Sequence, residues 1–317
     1  MRFAFIMDPI QTVLIDKDTT FVFMLEAQAR GHEVYYLEMH DLFVHRTGAM
    51  GRAQRIELRR EYDQHFTFYE EITGPLGNFD AIFMRKDPPF DIPYLHATQL
   101  LDLAQQDGAF VVNNPAGLRA ANEKLFALNF ASVIPPTMVS QDAHRLKAFL
   151  DELGGEIIIK PIDGHGGHGI FYVHRDDRNI NSLIETMTRN GREPIIAQRY
   201  IPEVRQGDKR LIMLNGEPLG CTLRVPRADE HRGNIHVGGT CIKAEITPRD
   251  REICNAVGPR LRQEGLYFVG LDIIGEYLTE VNVTSPTGVQ EINALNGVKL
   301  ETQVIEFVEQ RVRARRQ

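Results

Sequence analysis

The sequence has no tryptophan, only three cysteines, and no apolar run approaching the length of a membrane span. Cys221, Cys241 and Cys254 are odd in number and show neither CxxC nor Cys/His ligand spacing, so neither a disulfide framework nor a zinc site is indicated, and a reducing cytoplasm fits. Positive charge is also short. With 36 Lys+Arg against 43 Asp+Glu the net charge is −7, which argues against nucleic acid or an acidic membrane surface as a main partner. The basic exception, Arg311-Val-Arg-Ala-Arg-Arg-Gln317, is what the last turn of a helix favours, because cations complement its dipole. Arg2-Phe-Ala-Phe-Ile-Met7 is stopped by Asp8-Pro9 and lacks the length and cleavage site of a signal peptide. No repeat, low-complexity segment or G-x-x-x-x-G-K-[ST] phosphate loop is present. At 317 residues, 43% hydrophobic and 25% charged, the chain suits a soluble globular protein of two or three domains.

What is present begins as β-then-α alternation. Residues 3–7 read as a buried strand, and residues 19–30 place Phe21, Val22, Leu25 and Ala29 on one helical face before Gly31. Strand, helix and strand recur at residues 34–37, 80–84, 93–106 and 110–112, an alternation that predicts a parallel sheet covered by helices. Residues 41–58 read as a surface hairpin. In open α/β sheets ligands bind outside the carboxyl ends of strands. Arg85 and Asp87, directly after the strand through Ile82, are therefore candidate substrate contacts, and a Pro-fixed turn with solvated charges is the plainer alternative. Thr19 is a candidate helix cap or ligand contact.

After a boundary near Asn113-Asn-Pro115, residues 122–127 are expected to open a helix carrying Lys124 in its first turn. A strand at residues 156–161 ends in Lys160 and runs into Asp163-Gly-His-Gly-Gly-His-Gly169. Gly164, Gly166 and Gly169 spell G-x-G-x-x-G, but a dinucleotide fold needs a helix next, and Ile170-Phe-Tyr-Val173 is another strand. A hairpin lid whose backbone N–H groups close over phosphates fits this order better. His165 and His168 are exposed loop residues on this reading, with no metal assigned. The strand at 194–201 turns from apolar to mixed before Pro202, and residues 208–225 form a hairpin about Asn215-Gly216. Arg210 and Arg224 lie near its two ends, at mirror positions about residue 217 that a longer loop would pair, calling for an anion between; two solvated surface arginines are the alternative. Residues 226–240 read as a loop or lid, residues 248–264 as a helix capped by Thr247, and residues 298–314 as the last helix.

Residues 269–274 and 278–283 are β-branched and apolar around Gly275-Glu276-Tyr277. A three-residue loop would face Asp272 with Glu280, and alternation puts Asn282 on Glu280's side. Three hard oxygen donors suit Mg²⁺ shared with a phosphate; an edge hairpin with solvated side chains is the alternative.

Taken together, the Lys124 segment, Lys160 strand, glycine lid, arginine hairpin and Asp272/Glu280/Asn282 set resemble the ATP-grasp superfamily. Asp8-Pro-Ile, Met84-Arg-Lys-Asp-Pro-Pro-Phe-Asp91, Asn122-Glu-Lys-Leu-Phe126, Lys160-Pro-Ile-Asp-Gly-x-Gly-Gly167, Gly207-Asp-Lys-Arg210, Phe268-Val-Gly-Leu-Asp-Ile-Ile274 and Thr279-Glu-Val-Asn-Val-Thr-Ser-Pro-Thr287 resemble the bacterial glutathione synthetases over essentially the whole chain. The resemblance implies an α/β (α+β) ATP-grasp fold: an N-terminal parallel α/β pre-ATP-grasp domain at 1–122, a central lid domain at 123–201 and a C-terminal domain with the metal and substrate site at 202–317. It implies an ATP-dependent ligase joining γ-glutamylcysteine to glycine through an acyl phosphate.

On that resemblance Lys124, Lys160, Gly164, Gly166 and Gly167 hold nucleotide phosphates, Gln198, Arg199, Tyr200 and Ile201 the adenine, and Asp208 the ribose. Arg210 and Asn282 also count as nucleotide contacts. Asp272, Glu280 and Asn282 bind Mg²⁺ or Mn²⁺, while Arg210, Arg224 and Lys160 serve catalysis. Substrate contacts are implied at Asp18, Thr19, Arg85 and Asp87, at Arg232, Gly233 and Asn234, and at Ser285, Pro286 and Thr287. A cytoplasmic homo-oligomer, dimer or tetramer, is implied as well. Gln290 stands where relatives often carry arginine, and Thr240-Cys241 ends the second loop without a basic residue. A ligase of the same superfamily with another acceptor, or a silent ATP-binding scaffold, are the competing readings.

Overall fold

The computed structural model describes residues 1–164, 166–227 and 239–316. Its first sheet begins with β1 (Arg2–Ile6), α1 (Thr19–Ala29), β2 (Glu33–Leu37), β3 (Leu42–His45), β4 (Gly48–Leu58) and β5 (Phe66–Pro75). It continues through β6 (Ala81–Met84), α2 (Ile92–Gln106), β7 (Phe110–Val112) and α3 (Pro115–Ala120). β1, β2, β6 and β7 pair in parallel in the order β2-β1-β6-β7. Phe3, Ala4, Phe5 and Ile6 are fully buried, as a central parallel strand covered on both faces requires.

Two local expectations change here. Asp18, not Thr19, caps α1: its carboxylate accepts the Phe21 N–H at 2.6 Å, and Thr19 is already the first helical residue. The 42–58 segment is a hairpin, but β4 also runs antiparallel beside β2, burying Ala49, Ala53, Ile56 and Leu58 in the core. β5, which pairs with β4, was not apparent from the residues because most of its side chains are at least partly exposed and leave no alternation to read.

The second sheet holds β8 (Thr137–Ser140), α4 (Ala143–Glu152), β9 (Glu156–Pro161), β10 (Phe171–His174), α5 (Ile180–Met187) and β11 (Ile195–Arg199). Its order is β10-β9-β11-β8, all antiparallel, over a small core of its own that includes Leu146, Phe149, Ile159 and Ile195. Ahead of it, residues 122–127 do not open an α-helix. The Asn122 side-chain Oδ1 accepts the N–H groups of Lys124 and Leu125 as a helix cap would, but the chain goes on as a turn and a 3₁₀ segment at Phe126–Phe130.

The third sheet, β14-β13-β12-β15-β16, is antiparallel throughout. It comprises β12 (Asp208–Leu214), β13 (Glu217–Val225), β14 (Thr240–Lys243), α6 (Pro248–Glu264), β15 (Phe268–Ile274) and β16 (Tyr277–Asn282), and the chain ends in α7 (Val289–Asn296) and α8 (Leu300–Arg315). Thr247 caps α6 as expected, its hydroxyl accepting the Asp250 N–H at 3.2 Å while Asp250 returns a bond to the Thr247 N–H. α7 is an addition to the expected ending, cut from α8 by Gly297 at φ +67. α8 returns to the first sheet: Val304, Ile305 and Val308 share a core with Phe3, Phe5 and Phe23, and Arg30 and His32 each meet Glu309 at 2.8 Å. Among the described residues no helix is long and apolar enough to cross a membrane.

Candidate active site

The β15/β16 hairpin sets Asp272 opposite Glu280, as alternation requires. The turn itself is shorter than expected. Ile274 pairs with Tyr277 around Gly275-Glu276, and a bulge after Asp272 restores the register. Because Arg210 lies opposite both Asp272 and Thr222, and Asp208 opposite Arg224, one face of the sheet carries Asp208, Arg210, Arg224, Asp272, Glu280 and Asn282.

The arginines are not opposite each other. A two-residue turn at Asn215-Gly216 and a bulge at Ile212/Met213 set Arg224 against Asp208 and Arg210 against Thr222. The anion between them is Asp272. Arg210 grips it through Nε at 2.7 Å and Nη2 at 3.1 Å, and Arg224 reaches it at 3.0 Å while also bonding Asp208. Burial alone would push the Asp272 carboxyl up, but the two guanidiniums overcome this and hold it well below the usual carboxylate range. Asp208 goes the other way. Burial, with Asp272 close by, raises it to about 6 against the pull of Arg224. Asp208 Oδ1 and Arg224 Nε are buried with no hydrogen-bond partner among the described residues.

Over this face hangs the lid formed by β9, the glycine loop and β10. Gly166, Gly167 and Gly169 have φ of +61, +82 and +72, backbone that side-chain-bearing residues rarely adopt. Lys124 and Lys160 lie 3.5 Å and 3.7 Å from Glu280, and the Lys124 ammonium also donates to the Gly164 carbonyl. Burial lowers the Lys160 ammonium, and Lys124 adds to the effect. Ile158, Ile170, Tyr172, Ile201, Val204 and Ile274 give the cleft its apolar lining. Gln198, Arg199 and Tyr200 line it, and Asp208, Asp272 and Glu280 close its polar end. Such a cleft can take a flat apolar group and an attached polyanion. Among the described residues no group of three His, Cys, Asp or Glu is preformed for a metal. The oxygens of Asp272, Glu280 and Asn282 nevertheless share one face, and the unpartnered Asp208 Oδ1 adds a buried acceptor, a hard-donor set that fits a divalent cation shared with phosphates.

A second group lies at the carboxyl end of β6 and on the segment after β16. Arg85 is buried beyond β6, donating to the Thr20 hydroxyl at 3.1 Å and the Pro286 carbonyl at 3.0 Å. The segment after β16 is pinned by Glu123, whose Oε1 accepts Val283 N–H at 2.9 Å, Thr284 N–H at 3.1 Å and the Thr284 hydroxyl at 2.9 Å. Arg210 Nη1 donates to the Thr287 carbonyl at 3.1 Å, and Ser285 is buried. Asp87 sits on the exposed side of its turn, its N–H bonded to Asp8 at 2.9 Å. Gln290 donates to the carbonyls of Ile15 and Asp18 at 3.0 and 2.6 Å and accepts from Arg60 at 3.0 Å, so a guanidinium is present at this corner although residue 290 is not one. Arg232, Gly233 and Asn234 lie outside the described residues. Glu123 had not been singled out, since it stands in no chemical pattern; only its partners mark it.

The family model described as prokaryotic glutathione synthetase, ATP-grasp domain, matches residues 123–297, and that described as prokaryotic glutathione synthetase, N-terminal domain, matches residues 1–119. The chain belongs to this family. It is 48% identical to the glutathione synthetase of Synechococcus elongatus over 98% of both chains, and 48% identical to that of Coxiella burnetii over 98% of this chain and 96% of the relative. The Vibrio parahaemolyticus glutathione synthetase is 42% identical over 99% of each. Among solved structures, the D-cycloserine synthetase DcsG aligns with a TM-score of 0.67 at 13% identity over 98% of this chain and 99% of its own. The D-alanine–D-alanine ligase of Bacillus anthracis complexed with ATP aligns at 0.61 and 13% identity over 100% and 99%. Both likenesses speak to the ATP-grasp fold. One solved structure of this fold, the ATP-grasp ligase PsnB, is complexed with its minimal precursor, Mg and ADP; it aligns with a TM-score of 0.64 at 15% identity over 98% of both chains.

Proposed function

We propose that the protein is the ATP-dependent ligase that joins γ-glutamylcysteine to glycine, releasing ADP, phosphate and glutathione. The observation that carries this reading is the row Asp208, Arg210, Arg224, Asp272 and Glu280 lying on one sheet face beneath a glycine lid with Lys124 and Lys160. In the first step the cysteinyl carboxylate of the peptide attacks the γ-phosphorus of ATP, the bond to the ADP oxygen breaks, and an acyl phosphate forms. Glycine nitrogen then adds to the acyl carbon and phosphate leaves with the bonding pair.

Adenine sits against the apolar lining beside Gln198 to Ile201, with Asp208 on the ribose and Lys124, Lys160 and the Gly164 to Gly167 backbone on the phosphates. Asp272, Glu280 and Asn282 would hold Mg²⁺ or Mn²⁺, which would supply charge neutralisation at the phosphates. Arg210 and Arg224 face the place where negative charge builds on the transferring phosphoryl group and on the tetrahedral carbon, and because Asp272 already fixes them they need little reorganisation. Arg85, Asp18, Thr19, Asp87 and the Ser285-Pro286-Thr287 backbone border the peptide. A dry site protects the acyl phosphate from water. The working division into 1–122, 123–201 and 202–317, a cytoplasmic location and a homo-oligomeric state belong to the same reading. The test is substrate omission with mass identification of the product: ADP release should need γ-glutamylcysteine and glycine together and should yield glutathione. Release only with a different carboxylate and amine pair would replace this reading with that of another ligase.

A further inference from the structure

β16 is an outer strand of the third sheet: β15 pairs with one of its edges, and the backbone groups of the other edge must pair elsewhere. They do so with residues ahead of the second sheet. The Leu278 N–H donates to the Val133 carbonyl and the Val281 N–H to the Glu123 carbonyl, each at 2.9 Å. The Val283 N–H goes to the Glu123 carboxylate at 2.9 Å, and the same oxygen, Oε1, takes the Thr284 N–H at 3.1 Å and the Thr284 hydroxyl at 2.9 Å. Three donors converging on one oxygen call for a charged acceptor, which a neutral amide would replace with weaker bonds.

Asn282 is thereby held from both sides. The residue before it is bonded to the Glu123 backbone and the residue after it to the Glu123 side chain, while its own Nδ2 donates to the Gly270 carbonyl at 3.2 Å. With the amide nitrogen so engaged, Oδ1 is the atom turned to a ligand, on the sheet face that carries Asp272 and Glu280. The other candidates for control by Glu123 have anchors of their own. Arg85 holds the Pro286 carbonyl and Arg210 the Thr287 carbonyl, Asp272 is gripped by Arg210 and Arg224, and the bond to Val281, next to Glu280, comes from the backbone of Glu123 and survives a change of its side chain.

We propose, on the assignment of Asp272, Glu280 and Asn282 to a divalent cation, that Glu123 is a positioning residue for that cation, acting through Asn282. Mn²⁺ binding to the full chain with saturating ADP, read from the electron paramagnetic resonance of the free ion, tests this without turnover. Glu123→Gln should raise the Mn²⁺ Kd about ten-fold or more, the usual cost of losing a group that orients a metal ligand. ADP affinity without metal should stay within about two-fold, because Glu123 is not among the residues lining the nucleotide cleft. In an Asn282→Ala background the same substitution should have no further effect on Mn²⁺, since no amide is left to orient. Thr284→Val removes one of the three donors and keeps the side-chain volume, so it should raise the Kd by about two- to three-fold and decides the matter if Glu123→Gln does not fold.

An unchanged Mn²⁺ Kd in either single variant, an equal loss of Mn²⁺ and metal-free ADP binding, or an undiminished effect of Glu123→Gln beside Asn282→Ala would each overturn the proposal. Normal Mn²⁺ binding by Asn282→Ala alone would instead strike the metal assignment on which it stands.

Discussion

Asp272 serves two demands at once, holding Arg210 and Arg224 in place while facing Glu280 at the polar end of the cleft. Its removal leaves two buried guanidiniums uncompensated, Arg210 and Arg224 being 7% and 4% exposed. Asp272→Ala should therefore lower unfolding stability by about 3–5 kcal/mol in urea titration, the cost of breaking a buried pair from one side. Turnover should fall by about 10²-fold or more, since the arginines lose their aim. A variant with native stability and near-native turnover would refute the assignment. At this scale the Asp272/Glu280 pairing was legible, because strand alternation survives a change of loop length when a bulge compensates. The Arg210/Arg224 geometry was not, because a bulge leaves no mark in residue numbers. Glu123 was invisible for another reason: what distinguishes it is the donors it gathers from a segment 160 residues away.

The lid is the element on which nucleotide binding depends. Gly169, at φ +72, already has Pro161 within 3.1 Å of where a Cβ would lie. Gly169→Val adds a β-branched side chain to backbone it rarely adopts, so the loop must open. KM for ATP should rise about ten-fold, while the melting temperature shifts by no more than about 2 °C, because the third sheet and its core are untouched. An unchanged ATP KM would show that the loop does not contact nucleotide. Strand, glycine loop, strand was readable as a hairpin lid because no helix could follow the last glycine. The segment after Asn122 differs from the expected helix start because Asn serves both as cap and as turn former: its side chain makes the bonds of a cap, and only the 3₁₀ path at Phe126–Phe130 separates the two.

Across the whole molecule, the chain's end is tied to its beginning. Glu309 on α8 binds Arg30 at 2.8 and 3.1 Å and His32 at 2.8 Å, contacts between segments that no local pattern connects. The Arg30 hydrogen bond, opposed by burial and aided by His32, lowers the Glu309 carboxyl from 4.5 to about 2. A depressed carboxylate contributes its stability above the unfolded value near 4.5 and loses it as pH falls toward 2. Between those limits the wild type should lose on the order of 3 kcal/mol more than Glu309→Gln, read from urea unfolding at each pH. Parallel slopes for the two proteins would contradict the staple. The parallel sheet and the hairpin lid were legible because each repeats a short-range period. The docking of α8 was not, because it joins residues some 280 apart in sequence.

The central claim is that a carboxylate is activated by phosphoryl transfer between the lid and the acidic sheet face. With γ-glutamylcysteine carrying ¹⁸O in its cysteinyl carboxylate, ATP, glycine and Mg²⁺, mass spectrometry of the released phosphate measures this directly. Acyl-phosphate chemistry predicts that one ¹⁸O atom passes into phosphate for each glutathione formed. Glutathione accompanied by unlabelled phosphate would contradict the account.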